Sequence, residues 1–71
     1  MTAMKLSIII PAYDEEERIG LMLDAYLSYF TELYGQDVEF IVVINGSTDH
    51  TENIVNKYSE QNPCLKYIVE P

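Results

Sequence analysis

Two runs of β-branched, apolar residues, Leu6-Ser-Ile-Ile-Ile-Pro11 and Glu39-Phe-Ile-Val-Val-Ile44, constrain this chain more than any other feature. Each is short and almost continuously hydrophobic, the mark of a strand apolar on both faces in a parallel sheet rather than one alternating between core and water. The stretch between them has helical spacing: Ile19, Leu23, Tyr26, Phe30 and Leu33 recur at intervals of three or four, and Gly35 stands where a C-terminal cap belongs. That spacing predicts a helix of about twenty residues starting at Asp14.

A second helical pattern runs through Ile54, Val55 and Tyr58 and is stopped by Asn62-Pro63. Leu65-Lys-Tyr-Ile-Val69 is short and β-rich and reads as a third strand. The order is therefore βαβαβ, an α/β chain with a parallel three-stranded sheet. Right-handed crossovers that keep stepping the same way place successive strands side by side and both helices on one face. The other face is then bare although its strands are apolar. The expectation is that residues 1–71 are the front of a larger domain whose remainder covers that face; dimerisation through it is the alternative.

With 71 residues, the chain can bury only about 60% of the surface its unfolded form exposes. Four basic residues against twelve acidic ones give a net charge of -8, which argues against a nucleic-acid partner, since that affinity comes from Lys and Arg neutralising phosphates. One cysteine, Cys64, forms no internal disulfide, and the N-terminus carries no basic segment followed by an apolar one. A cytoplasmic location is expected. No apolar run approaches the roughly 18 to 20 residues that span a bilayer.

Chemistry concentrates at the two strand-to-helix junctions, Pro11-Ala-Tyr-Asp-Glu-Glu-Glu17 and Asn45-Gly-Ser-Thr-Asp-His-Thr-Glu52. Each holds an Asp followed three residues later by Glu, Asp14 with Glu17 and Asp49 with Glu52, which fits a capping box. Both junctions also lie at the carboxyl ends of adjacent parallel strands, where open α/β sheets bind ligands. Gly46 lets the backbone turn sharply and lets a ligand approach. Helix capping and ligand contact are compatible readings of the same residues. Asn45-Gly46 is also a hairpin signal and Asn45-Gly-Ser47 a glycosylation sequon, but a helical pattern follows the first and no secretory signal precedes the second. Neither the dinucleotide-binding glycine fingerprint nor a P-loop occurs.

These residues resemble a known family. Ser7-Ile-Ile-Ile-Pro-Ala-Tyr-Asp-Glu-Glu-Glu-Arg-Ile19, followed by Glu39-Phe-Ile-Val-Val-Ile-Asn-Gly-Ser-Thr-Asp-His-Thr51, is similar to the N-terminus of family 2 glycosyltransferases, closest to the dolichyl-phosphate glucose and mannose synthases. Two linked motifs in the right order are more specific than either alone, and they cover nearly the whole chain. The resemblance implies a GT-A fold, of which βαβαβ is the Rossmann-like nucleotide-binding half, and inverting sugar transfer from a nucleotide-sugar donor to a saccharide or lipid-phosphate acceptor. Carried over by position, it implies that Pro11, Ala12, Tyr13 and Glu15 line the nucleotide pocket from the first junction and Asn45, Gly46 and Ser47 from the second.

Two positions depart from the family pattern. Asp14 replaces the usual Asn, and Ile44-Asn45 replaces the usual Asp-Asp, so the acid expected to contact the base or ribose is an apolar side chain. The resemblance further implies a divalent cation, Mg or Mn, held by an Asp-x-Asp motif; no such motif occurs in these residues, and no catalytic residue is assigned within them. The 71 residues alone are expected to bind nucleotide weakly and to transfer no sugar. The reading from a different class is a non-catalytic βαβαβ interaction module that dimerises through its uncovered sheet face.

Three further features have ordinary explanations. His50 reads as a surface histidine and Cys64 as a small packing residue. Tyr26 and Phe30 are expected to pack on the sheet, with Tyr29 and Tyr34 at the rim; a membrane-surface contact is the alternative for these aromatics.

Overall fold

Five principal elements follow one another in the expected order. The computed structural model describes residues 6–46 and 50–70, as β1 (Leu6–Ala12), α1 (Ile19–Tyr34), β2 (Val38–Asn45), α2 (Thr51–Gln61) and β3 (Leu65–Glu70), with a single 3-10 turn at Gly35–Asp37. The sheet is parallel throughout, in the spatial order β1-β2-β3. Its register pairs Leu6 with Val38 through to Ala12 with Ile44, and Phe40 with Leu65 through to Asn45 with Glu70.

Register and the two-residue alternation of strands sort the side chains onto two faces. One face carries Ile10, Ala12, Val38, Phe40, Val42, Ile44 and Leu65, all buried, and Ile19 and Leu23 of α1 and Val55 of α2 join them in one core. Phe40, fully buried, anchors this layer, and Phe30 of α1 meets it edge-on with ring centroids 6.3 Å apart. Burial of such a side chain contributes about 1.5 to 3 kcal/mol.

The opposite face has no layer over it among the described residues. Ile9 is 57% exposed and Ile68 53% exposed, with Pro11, Ile41 and Val43 registered between them. Polar groups close this apolar band at one end, where the Ser7 hydroxyl donates to Glu39 at 3.1 Å. The one-sided helix layer expected from the strand order is what the burial pattern records.

Helix boundaries differ from the expectation at the N-terminal ends. α1 begins at Ile19, not Asp14, and its first turn contains no acidic residue. Asp14 has φ 47, in the left-handed region, so the chain reverses there instead of entering a helix. The Glu15 carbonyl then accepts from the amides of Arg18 at 2.9 Å and Ile19 at 2.7 Å, which closes a tight turn with Arg18 as the residue that precedes the helix. Asp14 and Glu17 thus lie ahead of α1, and the N-cap position falls to Arg18. For α2 the residue in the N-cap position is His50, without a side-chain cap, and Glu52 lies in the first turn. Asp49, the cap expected there, lies outside the described residues, as do Ser47 and Thr48.

The C-terminal ends follow the sequence signals. Gly35 adopts φ 60 and its N–H bonds the Thr31 carbonyl, ending α1 as its position suggested. Asn62 ends α2, with its side-chain amide donating to the Tyr58 carbonyl at 2.9 Å. Two residues of the predicted apolar stripe of α1 lie further out than expected: Leu33 is 59% exposed and Tyr26 37% exposed. Phe30 does pack inward, and Tyr29 and Tyr34 sit at the rim around it.

Candidate functional site

The parallel register brings both junctions to one edge of the sheet. Ala12 and Ile44 are register partners, so the segment leaving β1 and the segment leaving β2 start side by side at the carboxyl ends of their strands. A direct bond joins them: the Glu15 N–H donates to the Thr51 hydroxyl oxygen at 2.8 Å, across 36 positions of sequence. Alongside it, the His50 N–H donates to a Glu16 carboxylate oxygen at 3.3 Å, and His50 Nδ1 stands 3.5 Å from the other.

The residues assigned to the site take distinct places. Pro11 is exposed on the uncovered face at the end of β1, and Tyr13 follows it with 62% of its surface in water. The Ala12 methyl is in the core, leaving its backbone for contact with anything at the edge. Glu15 is half-buried; its carboxylate accepts from the Arg18 guanidinium at 2.8 Å. Arg18 itself is largely solvated, so this ion pair orients Glu15 more than it stabilises the chain, with a contribution below about 1 kcal/mol.

Asn45 is exposed at the end of β2, and Gly46 turns the chain with φ 57 while its N–H bonds the Glu70 carbonyl at 2.9 Å. The glycine therefore both extends the ladder to β3 and takes a backbone conformation that other residues resist. Ile44, by contrast, is 1% exposed and belongs to the core. Its side chain lies on the helix-covered face, so at this position the chain has packing where the family pattern has a carboxylate.

Electrostatically the first junction is acidic. A surface hollow of about 270 Å³ is lined by Asp14, Glu15, Glu16, Glu17 and Arg18, four carboxylates to one guanidinium. A bare diphosphate is repelled by such a surface. Among the described residues no group of three or more His, Cys, Asp or Glu side chains could hold a metal ion. The described residues therefore offer no ready donor set for a divalent cation.

His50 is a surface residue as expected, although its Glu16 partner had no signal in the sequence. Thr51 was also overlooked. It is fully buried, and the only trace of its role is its place closing the Asp-x-Thr of the second motif. Cys64 is half-buried and packs against the core.

Comparison with known proteins bears on the family and the fold. The family model described as glycosyl transferase family 2 matches residues 7–71. The dolichyl-phosphate beta-glucosyltransferase of Saccharomyces cerevisiae is 40% identical over 62 residues, covering 87% of this chain and 19% of that protein. The human dolichyl-phosphate beta-glucosyltransferase is 39% identical over 67 residues, covering 89% and 19%. A prophage bactoprenol glucosyl transferase homolog of Escherichia coli is 35% identical over 62 residues, covering 87% and 20%. Among solved structures, the mannosyltransferase PcManGT from Pyrobaculum calidifontis, in complex with GDP-Man and Mn2+, superposes with a TM-score of 0.77 at 27% identity, covering 99% of this chain and 20% of that one. The chain thus spans about a fifth of the length of the relatives it matches.

Proposed function

The chain belongs to glycosyl transferase family 2, and from that premise we propose that residues 1–71 are the nucleotide-sugar-binding part of a transferase acting on a lipid-phosphate acceptor. The observation that carries this reading is the junction pair: Tyr13 and Glu15 from one segment and Asn45 and Gly46 from the other meet at one sheet edge, joined through Glu15 and Thr51. Tyr13 offers an exposed ring for a base, Glu15 a carboxylate oxygen for ribose hydroxyls, and Asn45 both a donor and an acceptor. Gly46 adds backbone at the same edge, and Ser47, which the resemblance also assigns, lies outside the described residues.

A lipid phosphate as acceptor is supported by relatives whose names specify dolichyl phosphate and bactoprenol. The solved neighbour's GDP-Man and Mn2+ support a nucleotide-sugar donor and a divalent cation for the complete enzyme. The cation's ligands, and the catalytic base, belong to parts of such an enzyme other than the residues described above. A cytoplasmic location, at the face of a membrane, completes the reading. Among the described residues no helix is long and apolar enough to cross a bilayer.

Nitrogen-15 NMR titration of the 71-residue chain with UDP, GDP and their sugar conjugates, up to about 10 mM, tests the proposal. Shifts confined to residues 12–16 and 44–47 are expected. Perturbations scattered over α1 or the uncovered face, with none at the junctions, would refute it.

A further inference from the structure

Thr51 is the one buried polar residue of the core among the described residues, fully excluded from solvent at the first position of α2. A threonine hydroxyl there is not required by packing, since valine has the same shape. Its oxygen accepts the Glu15 N–H at 2.8 Å. Glu15 is also the residue whose carbonyl closes the turn into α1 and whose carboxylate is oriented by Arg18. Its neighbour Asp14 holds a left-handed backbone angle. Nothing regular on its own side of the junction fixes this segment: β1 has ended and α1 has not begun. The amide that Thr51 holds is therefore a part-buried point at which a non-repetitive loop is pinned to a rigid helix start.

We propose that Thr51 is a positioning residue of the donor site, holding the Tyr13–Glu15 segment in register with Asn45–Gly46 so that the two junctions present one preformed surface to the nucleoside diphosphate. This rests on the nucleotide-binding reading above. The physical basis is preorganisation: a loop already pinned loses less freedom when ligand arrives, so part of the affinity resides in a bond the ligand never touches. The Glu16 contact to the His50 amide acts beside it but lies in solvent, where such a bond contributes less.

The test compares wild type, Thr51→Ser and Thr51→Val in the 71-residue chain. Three quantities are read: exchange of the Glu15 amide, thermal midpoint, and the dissociation constants for UDP and GDP from NMR titration. In wild type the Glu15 amide should be protected from exchange, and more so with nucleotide. Thr51→Val should abolish that protection and weaken nucleotide binding about two- to tenfold, whereas Thr51→Ser, which keeps the hydroxyl, should hold both near wild type. A valine variant with a lowered midpoint but an unchanged dissociation constant would make Thr51 merely structural and overturn the proposal. Should that variant not fold, an unprotected Glu15 amide in wild type overturns it equally. If wild type shows no nucleotide-induced shift while Glu15 is protected, the donor-site reading has failed and the positioning role falls with it, though the pinning bond stands.

Discussion

The Tyr58 hydroxyl donates to the Gly20 carbonyl at 3.0 Å, so that the middle of α2 is tied to the first turn of α1. The two helices share one face of a small sheet, and this bond sets their spacing. Tyr58→Phe keeps the ring and removes the bond, and is expected to lower stability by about 1 kcal/mol, or roughly 4 to 8 °C in Tm for a domain of this size. Circular dichroism melts check it.

The same tyrosine predicts a dependence on alkaline pH. Burial raises its phenol above the ordinary 10.0, and the Asp24 carboxylate acts in the same direction. A raised acid holds its proton more tightly folded than unfolded, so the contribution of Tyr58 is complete below the unfolded value and declines as pH rises above about 10. The stability gap between wild type and Tyr58→Phe should therefore narrow in that range. Urea titrations on either side of the transition measure it; a gap that widens would contradict the assignment.

Gly20 borders the same contact. A Cβ built there would lie 3.4 Å from the Tyr58 hydroxyl, at the near limit of ordinary contact. Gly20→Ala should thus be tolerated, with helix propensity returning up to about 1 kcal/mol. Gly20→Leu should displace Tyr58 and cost stability instead, read by the same melts.

Ile44 allows a sharper experiment. Restoring the family's acid by Ile44→Asp would place a carboxyl among Ala12 and the other buried side chains of the core. An unpartnered polar group in apolar surroundings costs about 2 to 7 kcal/mol, enough to unfold a marginal domain. The expected outcome is loss of the folded NMR spectrum rather than a gain in nucleotide affinity. A folded variant that binds UDP more tightly would show that this position faces the ligand.

On the uncovered face, Ile9→Glu and Ile68→Lys should change stability by less than about 0.5 kcal/mol in the 71-residue chain, since both side chains are already more than half exposed. They should raise solubility. Calorimetry gives a further check: sub-micromolar binding of UDP or GDP without metal would contradict the acidic character of the first junction.

Much of this architecture was legible because it depends on short-range pattern. Ile8, Ile10, Phe40 and Val42 announce their strands, and Gly35 announces a helix end through a backbone angle that few other residues adopt. The start of α1 differs from the sequence reading because Asp14 and Glu17 satisfy a local capping pattern while the helix begins only at Ile19. One bond that holds the first junction comes from Thr51, far off in sequence, and a spacing rule cannot see a bond that exists only after the sheet has formed. Leu33 failed for a related reason: periodicity says which side of a helix a residue faces, not how far the sheet extends beneath it. The binding roles proposed for Pro11, Ala12, Tyr13, Glu15 and Asn45 rest on family resemblance, because nothing in the spacing separates a ligand contact from a cap.

The spatial order β1-β2-β3 repeats the order of the chain, and this bears on how the protein is made. Each parallel strand finds its neighbour among residues the ribosome has already released, at about 5 to 20 residues per second. Within these residues, β2 can join β1 and β3 can join β2 in the order of their synthesis. The face that stays apolar during that interval is the surface a chaperone would meet first.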